Sequence, residues 1–420
     1  MTAQSLVAER KPIALGVAVV PLLALMIFIQ YVDRGNIATA APLMSKELGL
    51  DARQVGLLIS AFYFTYAPSQ LLTGWLAHRI NAYRTLALGL AIWSLATFAT
   101  GLVGGFAGLI ALRLMLGLGE SAAFPCSSRI LARHLPSGRL GAANGLIGVG
   151  LALGPAIGTW AGGNLMAVSG WRPTFLIFGA LSALWLLPWW RATRHLDRAE
   201  RDEPEPPAPT YLEIIKRRDA WGAALGHFCN NYSFYFVLSW LPLYLVKTRG
   251  LSMGEMAEVG GVVYGVYALS CLASGWLGDQ WMRAGASANL VRKSAAIAGN
   301  VIPGAALIVA AFGDTTMAIG CLIVAAVGSG IATNTIYSIG QTLAGPKAGG
   351  KWMAIQNGIG NLAGVIGPII TGVIVYQTGS FAWAFISAGA VGLVGALGWG
   401  VIIRKVEPLE WAPVGTMQTA

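Results

Sequence analysis

Charge is scarce in this 420-residue chain. Asp, Glu, Lys and Arg make up 11% of it, against 55% hydrophobic residues, where a soluble domain carries about 25% charged residues. So few polar groups cannot cover a surface in water, which excludes a soluble globular fold and leaves a membrane-embedded one. Cysteine is scarce too. Cys126, Cys229, Cys271 and Cys321 each sit alone in or beside an apolar run, with no C-x-x-C pair. That excludes a disulfide framework or a thiolate metal site and reads as small buried hydrophobes. His78, His134, His195 and His227 are dispersed, and no H-E-x-x-H occurs. No metal and no cofactor is therefore expected, and an enzyme is disfavoured. Acidic residues number 18 against 28 basic ones, a net charge of +10. The basic excess lies in short gaps between apolar runs, not on one face of a soluble domain, so nucleic acid is not the expected partner.

Apolar length and glycine are abundant instead. The 55 glycines suit close helix approach in lipid, where small residues set the interfaces. A spanning helix needs about 20 apolar residues. Twelve such stretches occur, at about 13–42, 52–77, 83–103, 105–131, 140–166, 171–191, 219–248, 254–278, 292–312, 315–343, 350–377 and 380–404. Arg10, Lys11 and the Ala38-Thr39-Ala40 tripeptide give the first stretch the outline of a secretory leader. Its length and the spans that follow mark it as an uncleaved first helix.

The organisation expected is all-α, with twelve transmembrane helices in two pseudo-symmetric six-helix bundles. One bundle occupies 1–191 and the other 219–404. A cytoplasmic linker at 192–218, with Pro204-Glu205-Pro206-Pro207 at its centre, joins them, and a tail covers 405–420. Lys and Arg gather in alternate loops (Arg79, Arg84, Arg133, Arg139, Arg283, Arg292, Lys347, Lys351), in the linker and at Arg404 and Lys405. The positive-inside rule then puts both termini in the cytoplasm of a bacterial inner membrane. The halves repeat: Gly74-Trp75-Leu76 answers Gly275-Trp276-Leu277. Asn144-Gly145 and Gly154-Pro155 answer Asn357-Gly358 and Gly367-Pro368, both displaced by 213 residues (144 to 357, 154 to 367). Duplicated halves with a midplane site are a transporter architecture.

Ionisable groups inside a bilayer cost at least about 2.5–3.5 kcal/mol each, so they face a cavity or a partner. The first half places Asp33 and Arg34 in its first span and Arg113 and Glu120 in its fourth. Arg113 and Glu120 are seven residues apart, on one helix face and about 10.5 Å along the axis. That is too far for a direct pair and suits a cation and a titratable carboxyl lining one cavity. Gly117, between them on that face, is expected to leave room beside the helix. Asp33 and Arg34 diverge by about 100°, so each needs a partner on another helix. Asp33 can neutralise Arg113 or hold a proton, and Arg34 can meet an anionic solute. The plainer alternative puts these groups near helix ends, snorkelling or paired with neighbours. Tyr31, Tyr66 and Gln70 in the first half, and Asn230, Asn231, Asn334, Tyr337, Asn357 and Asn361 in the second, form a neutral polar set. Taken singly each serves helix packing; together the second-half set makes a hydroxyl-reading wall.

These residues carry a resemblance to the major facilitator superfamily over almost the whole chain. Gly74-Trp75-Leu76-Ala77-His78-Arg79 to Arg84 resembles its G-x-L-a-D-R-x-G-R-R signature, with His78 for the usual Asp and Asn81 for the usual Gly. Asp279 holds the matching acidic position in the second half. The resemblance implies gating roles for Gly74, Arg79, Arg84 and Asp279. Within the superfamily, Tyr31-Val32-Asp33-Arg34-Gly35-Asn36-Ile37, Ser60-Ala61-Phe62-Tyr63-Phe64-Thr65-Tyr66 and Arg113-Leu114-Met115-Leu116-Gly117-Leu118-Gly119-Glu120 resemble the anion:cation symporters. That family includes bacterial sugar-acid and phthalate permeases, sialin and vesicular glutamate transporters. The likeness implies Arg34 as the ligand of a solute carboxylate, Asp33 and Glu120 as proton-coupling carboxyls, and Arg113 tuning Glu120. It also implies solute contacts at Tyr31, Tyr66 and Asn357. The expected activity is proton-coupled import of a small organic anion by alternating access, by a monomer in the lipid bilayer with protons as the coupling ion. Gly150, Gly154, Pro155 and Gly158 also resemble a signature of drug efflux antiporters, which is the competing reading. A transport-silent receptor on a carrier fold is the further alternative.

Overall fold

The computed structural model describes residues 3–77, 81–135, 137–194 and 209–411, with side chains undescribed at 3–18, 71, 132, 137–142, 346 and 347. His78, Arg79, most of the linker and the end of the tail lie outside the described residues. Helices account for every regular element among the rest. α1 (Ala3–Leu48), α2 (Ala52–Leu76) and α3 (Ala82–Thr100) come first. α4 (Phe106–Glu120) runs into α5 (Ala123–His134), α6 (Ser137–Ser169) follows, and α7 (Trp171–Leu184) runs into α8 (Leu186–Thr193). A short α9 (Tyr211–Ile215) then precedes α10 (Arg218–Leu243), which ends in a π turn, α11 (Met253–Arg283) and α12 (Ala288–Ala310). α13 (Thr315–Thr378) and α14 (Ala382–Leu397) complete the chain.

Ten stretches among the described residues are long and apolar enough to cross a membrane. α1, with 46 residues, and α10, with 26, bring the membrane-length segments to twelve. α10 carries His227, Asn230, Asn231 and Ser233, so its length rather than its hydropathy identifies it. The two spans expected at 315–343 and 350–377 form one element broken at Gly345, whose φ of 62° only glycine adopts at no cost. Local chemistry fixes several ends. Asp51 and Gln54 form a capping box at the start of α2, and Asp314 caps α13 through the Met317 N–H. Asn81, which departs from the superfamily's loop signature, caps α3 by accepting from the Tyr83 and Arg84 N–H groups at 2.7 and 3.2 Å.

The chain packs as two compact units, Met1–Ala199 with Ser239–Gly265, and Glu200–Leu238 with Val266–Ala420. The segment Ser239–Gly265 comes from the second set of spans and packs with the first unit, because the first turns of α11 lie flush on α6. A Cβ on Gly260 would come 2.6 Å from the Thr159 side chain, and one on Gly163 would come 2.6 Å from that of Ala257. Trp160 Nε1 and Asn164 Nδ2 also donate to Glu258 Oε1 at 2.9 and 3.3 Å.

Each unit is held by glycine crossings. A Cβ on Gly89 of α3 would sit 2.6 Å from the Gly119 carbonyl of α4, and one on Gly304 of α12 would sit 2.9 Å from the Gly389 carbonyl of α14. The glycine stripe of α6 has the same task. Gly150, Gly154 and Gly158 receive α1, with added Cβ atoms 2.5 Å from the Ala24 carbonyl, 2.5 Å from Tyr31 Cβ and 3.0 Å from Val32 Cα. Overpacking at such a crossing costs roughly 1–3 kcal/mol. Gly154→Ala is therefore expected to lower the thermal midpoint in detergent. Gly148→Ala, on the same helix with nothing within 4 Å, should leave it unchanged.

Candidate functional site

The four ionisable residues that the sequence singles out in the first unit are all buried: Asp33 is 2% exposed, Arg34 4%, Arg113 4% and Glu120 0%. They do not all meet one another: Arg34 pairs with Glu120, whereas Asp33 bonds to Ser182. Three of them cluster and one faces away. α1 presents Arg34 to α4, where Glu120 is the last residue. The Arg34 Nη2 and Nε groups donate to a single Glu120 oxygen, Oε2, at 2.9 and 3.2 Å. The other oxygen, Oε1, is buried with no hydrogen-bond partner among the described residues. Gln30 Nε2, one turn before Arg34, donates to the Glu120 carbonyl at 3.1 Å and fixes the end of α4 against α1.

Three aromatic rings box the Arg34 guanidinium. Its Cζ lies 4.7 Å from the Tyr31 ring centroid, 4.8 Å from Phe62 and 4.5 Å from Tyr66. Ring faces attract a cation electrostatically, the more so once both are desolvated. Tyr31 and Tyr66, expected to touch a solute, thus line the side chain expected to bind its carboxylate. Phe62 escaped sequence reasoning. It stacks on Tyr66 at 5.0 Å and also lies 5.2 Å from the Arg113 guanidinium, so one ring serves both cations. Its position one helical turn before Tyr66 was the available signal.

Arg113 has no carboxylate within ion-pairing distance among the described residues. Its hydrogen bond there runs from Nε to the Leu58 carbonyl at 3.4 Å. A guanidinium carries five N–H donors and stays protonated in proteins. The cluster therefore holds two cations and one anion.

Asp33 is the member that departs. Its Oδ2 accepts from Ser182 Oγ of α7 at 2.8 Å, and its Oδ1 accepts from Asn36 Nδ2 at 3.5 Å. The divergence of consecutive helical residues, which turns Arg34 toward α4, turns Asp33 toward α7. Neutralisation of Arg113 by Asp33 is not what the structure holds. Gly117 also corrects an expectation. It leaves no room: a Cβ there would lie 2.2 Å from the Phe62 carbonyl and 2.4 Å from Thr65 Oγ1. Thr65 Oγ1 donates to the Leu114 carbonyl at 2.7 Å, so Gly117 is where α2 and α4 touch.

In the second unit, Asn334 and Tyr337 lie on an exposed face of α13, and Asn334 Nδ2 donates to the Cys271 carbonyl at 2.8 Å. Asn357 is half-buried, and its carbonyl accepts from Asn361 Nδ2 at 2.9 Å. Among the residues with expected gating roles, Gly74 faces Pro125, 3.9 Å from the position of an added Cβ. Arg84 is exposed in the first turn of α3 and Asp279 is exposed near the end of α11. Arg79 is outside the described residues.

The Major Facilitator Superfamily sequence profile matches residues 23–364. The chain belongs to the Major Facilitator Superfamily. It is a multi-pass membrane transporter and not an enzyme. The chain is 30% identical over 399 residues to the probable sulfoacetate transporter SauU of Cupriavidus necator, covering 90% of this chain and 91% of that one. It is 28% identical to the hexuronate transporter of Bacillus subtilis, covering 92% and 94% of the two chains. To the D-galactonate transporter of Escherichia coli it is also 28% identical, covering 92% and 96%. In fold it is similar to a bacterial homolog of the human lysosomal transporter Spinster, with a TM-score of 0.73 at 22% identity over 91% of this chain and 93% of that one.

Proposed function

We propose that this superfamily member is a proton-coupled symporter that imports a small organic anion, a sugar acid or related carboxylate, across a bacterial inner membrane. The observation that carries the reading is the buried Arg34–Glu120 pair beside Arg113, a cation with no carboxylate of its own among the described residues. An anion entering such a cluster must displace Glu120 from Arg34, and displacement is cheap only when Glu120 loses its charge. A proton on Glu120 therefore accompanies an anion on Arg34. Arg113 supplies the second positive charge, and the three rings exclude water from the exchange. Loss of the proton lets Glu120 reclaim Arg34 and expel the solute. Asp33, bonded to Ser182, is a second proton-carrying candidate whose ionisation is sensed through α1. The named cargoes of the relatives, sulfoacetate, hexuronate and galactonate, support an acidic solute. The α6 glycines that resemble a drug-antiporter signature seat α1 here, which supports reading them as a packing element.

The test is uptake into proteoliposomes. Under an inward proton gradient, radiolabelled D-galactonate or sulfoacetate is expected to accumulate above its external concentration, and a protonophore should collapse that accumulation. Equilibration without accumulation would leave a carrier but remove the coupling.

A further inference from the structure

One face of α10 is polar at intervals of one turn and lies on the second half of α13. Asn231 Nδ2 donates to the Gly360 carbonyl at 3.1 Å, and the Tyr235 hydroxyl donates to Asn361 Oδ1 at 2.9 Å. His227 is the first member of this row and the one left without such a bond. It is 2% exposed, and its Nδ1 has no hydrogen-bond partner among the described residues. Its place is built for it. A Cβ at Gly360 would fall 3.0 Å from the imidazole, so the ring lies directly on the glycine backbone. Its other side meets the Tyr337 ring at 5.5 Å with an interplanar angle of 78°.

Tyr337 is 38% exposed. It lies on the face of α13 that also exposes Asn334 and Gln341. Side chains of this kind on a spanning helix face a water-filled space, since hydrocarbon offers them no partners. A tyrosine thus stands between that space and a buried imidazole with an unused nitrogen. Buried polar atoms are nearly always satisfied, and an orphan at the edge of a solvated space calls for a partner the protein itself does not supply.

We propose that His227 is a hydroxyl-binding residue of the second unit, reached when Tyr337 turns aside, which makes the carrier prefer polyhydroxylated carboxylates to anions without hydroxyls. The inference rests on the transport reading above. It adds a specificity for hydroxyl groups, which charge recognition alone does not give. An imidazole suits the task because its two ring nitrogens can exchange hydrogen bonds with a sugar hydroxyl.

The experiment compares D-galactonate with sulfoacetate, an anion lacking hydroxyls, in proteoliposomes. His227→Leu is expected to raise the half-saturating concentration for galactonate on the order of 10-fold, the effect of one lost hydrogen bond to a buried group. That for sulfoacetate should stay within about 2-fold. His227→Gln, which restores a donor and an acceptor, should recover most of the galactonate affinity. Gly360→Ala, which displaces the ring without removing it, should reproduce the selective loss. Monodisperse elution in detergent checks that each variant is folded. Equal shifts for the two solutes, or none for galactonate, overturn the inference and leave the carrier reading intact. Failure of the parent protein to take up either solute removes both.

Discussion

Replacing Glu120 with glutamine is expected to abolish proton-driven accumulation of the anion, by roughly 100-fold against the parent, while sparing anion exchange. The substitution keeps the shape of the side chain and its reach to Arg34 but removes the charge and the titratable proton. Arg34 then holds a neutral partner in place of a carboxylate at 2.9 Å. Breaking a buried ion pair by neutralising one member costs about 3–5 kcal/mol, because the other charge is left uncompensated. A solute carboxylate is the natural replacement. The variant should therefore be less stable than the parent without solute and should gain more from its addition. A ligand at 100 times its dissociation constant contributes about 2.7 kcal/mol. In vesicles the expected pattern is counterflow within about 3-fold of the parent and no response to a proton gradient, a loss of well over about 2 kcal/mol in coupling alone. Undiminished accumulation by the glutamine variant would show that Glu120 does not carry the coupled proton, and the exchange of partners on Arg34 would fall with it.

Much of this site could be read from the chain before the fold was known, and its limits have physical causes. Four charges in otherwise apolar spans stand out because hydrocarbon tolerates so few, and all four prove buried. The seven-residue spacing of Arg113 and Glu120 settled that they share a face and do not pair. The angle between Asp33 and Arg34 settled that they part. What periodicity does not carry is the identity of the neighbour: that Ser182 of α7 receives Asp33, and that Glu120 of α4 receives Arg34, depends on helix packing. Glycine was the hardest residue to read. At Gly117 the missing side chain suggested space, whereas a backbone carbonyl and a threonine hydroxyl occupy it. At Gly154 it suggested either a drug-antiporter element or a packing surface, and the close approach of Tyr31 is the packing surface seen directly. Phe62 was hidden because an apolar aromatic among aromatics carries no polar signature. Its role is visible only once two guanidinium groups are seen on its ring.

Arg34→Ala is expected to lose anion binding itself, with no saturable uptake or exchange of galactonate or sulfoacetate up to about 100 times the parent's half-saturating concentration. Truncating one partner of a buried, hydrogen-bonded charge pair costs about 2–5 kcal/mol or more. Here the deletion also empties the box formed by Tyr31, Phe62 and Tyr66. Arg34→Lys should restore little, since an ammonium reproduces neither the planar fork that meets Glu120 through two nitrogens nor its stacking on rings. Loss of transport in Arg34→Ala alone would not separate a missing ligand from a damaged fold, because Glu120 is left buried without its counter-charge. The double variant Arg34→Ala, Glu120→Gln separates them: with neither charge present the burial penalty is gone, so its thermal midpoint should return toward that of the parent while transport stays absent. A stable double variant that still exchanges the anion would shift the binding role to Arg113. One that stays both stable and silent fixes it on Arg34.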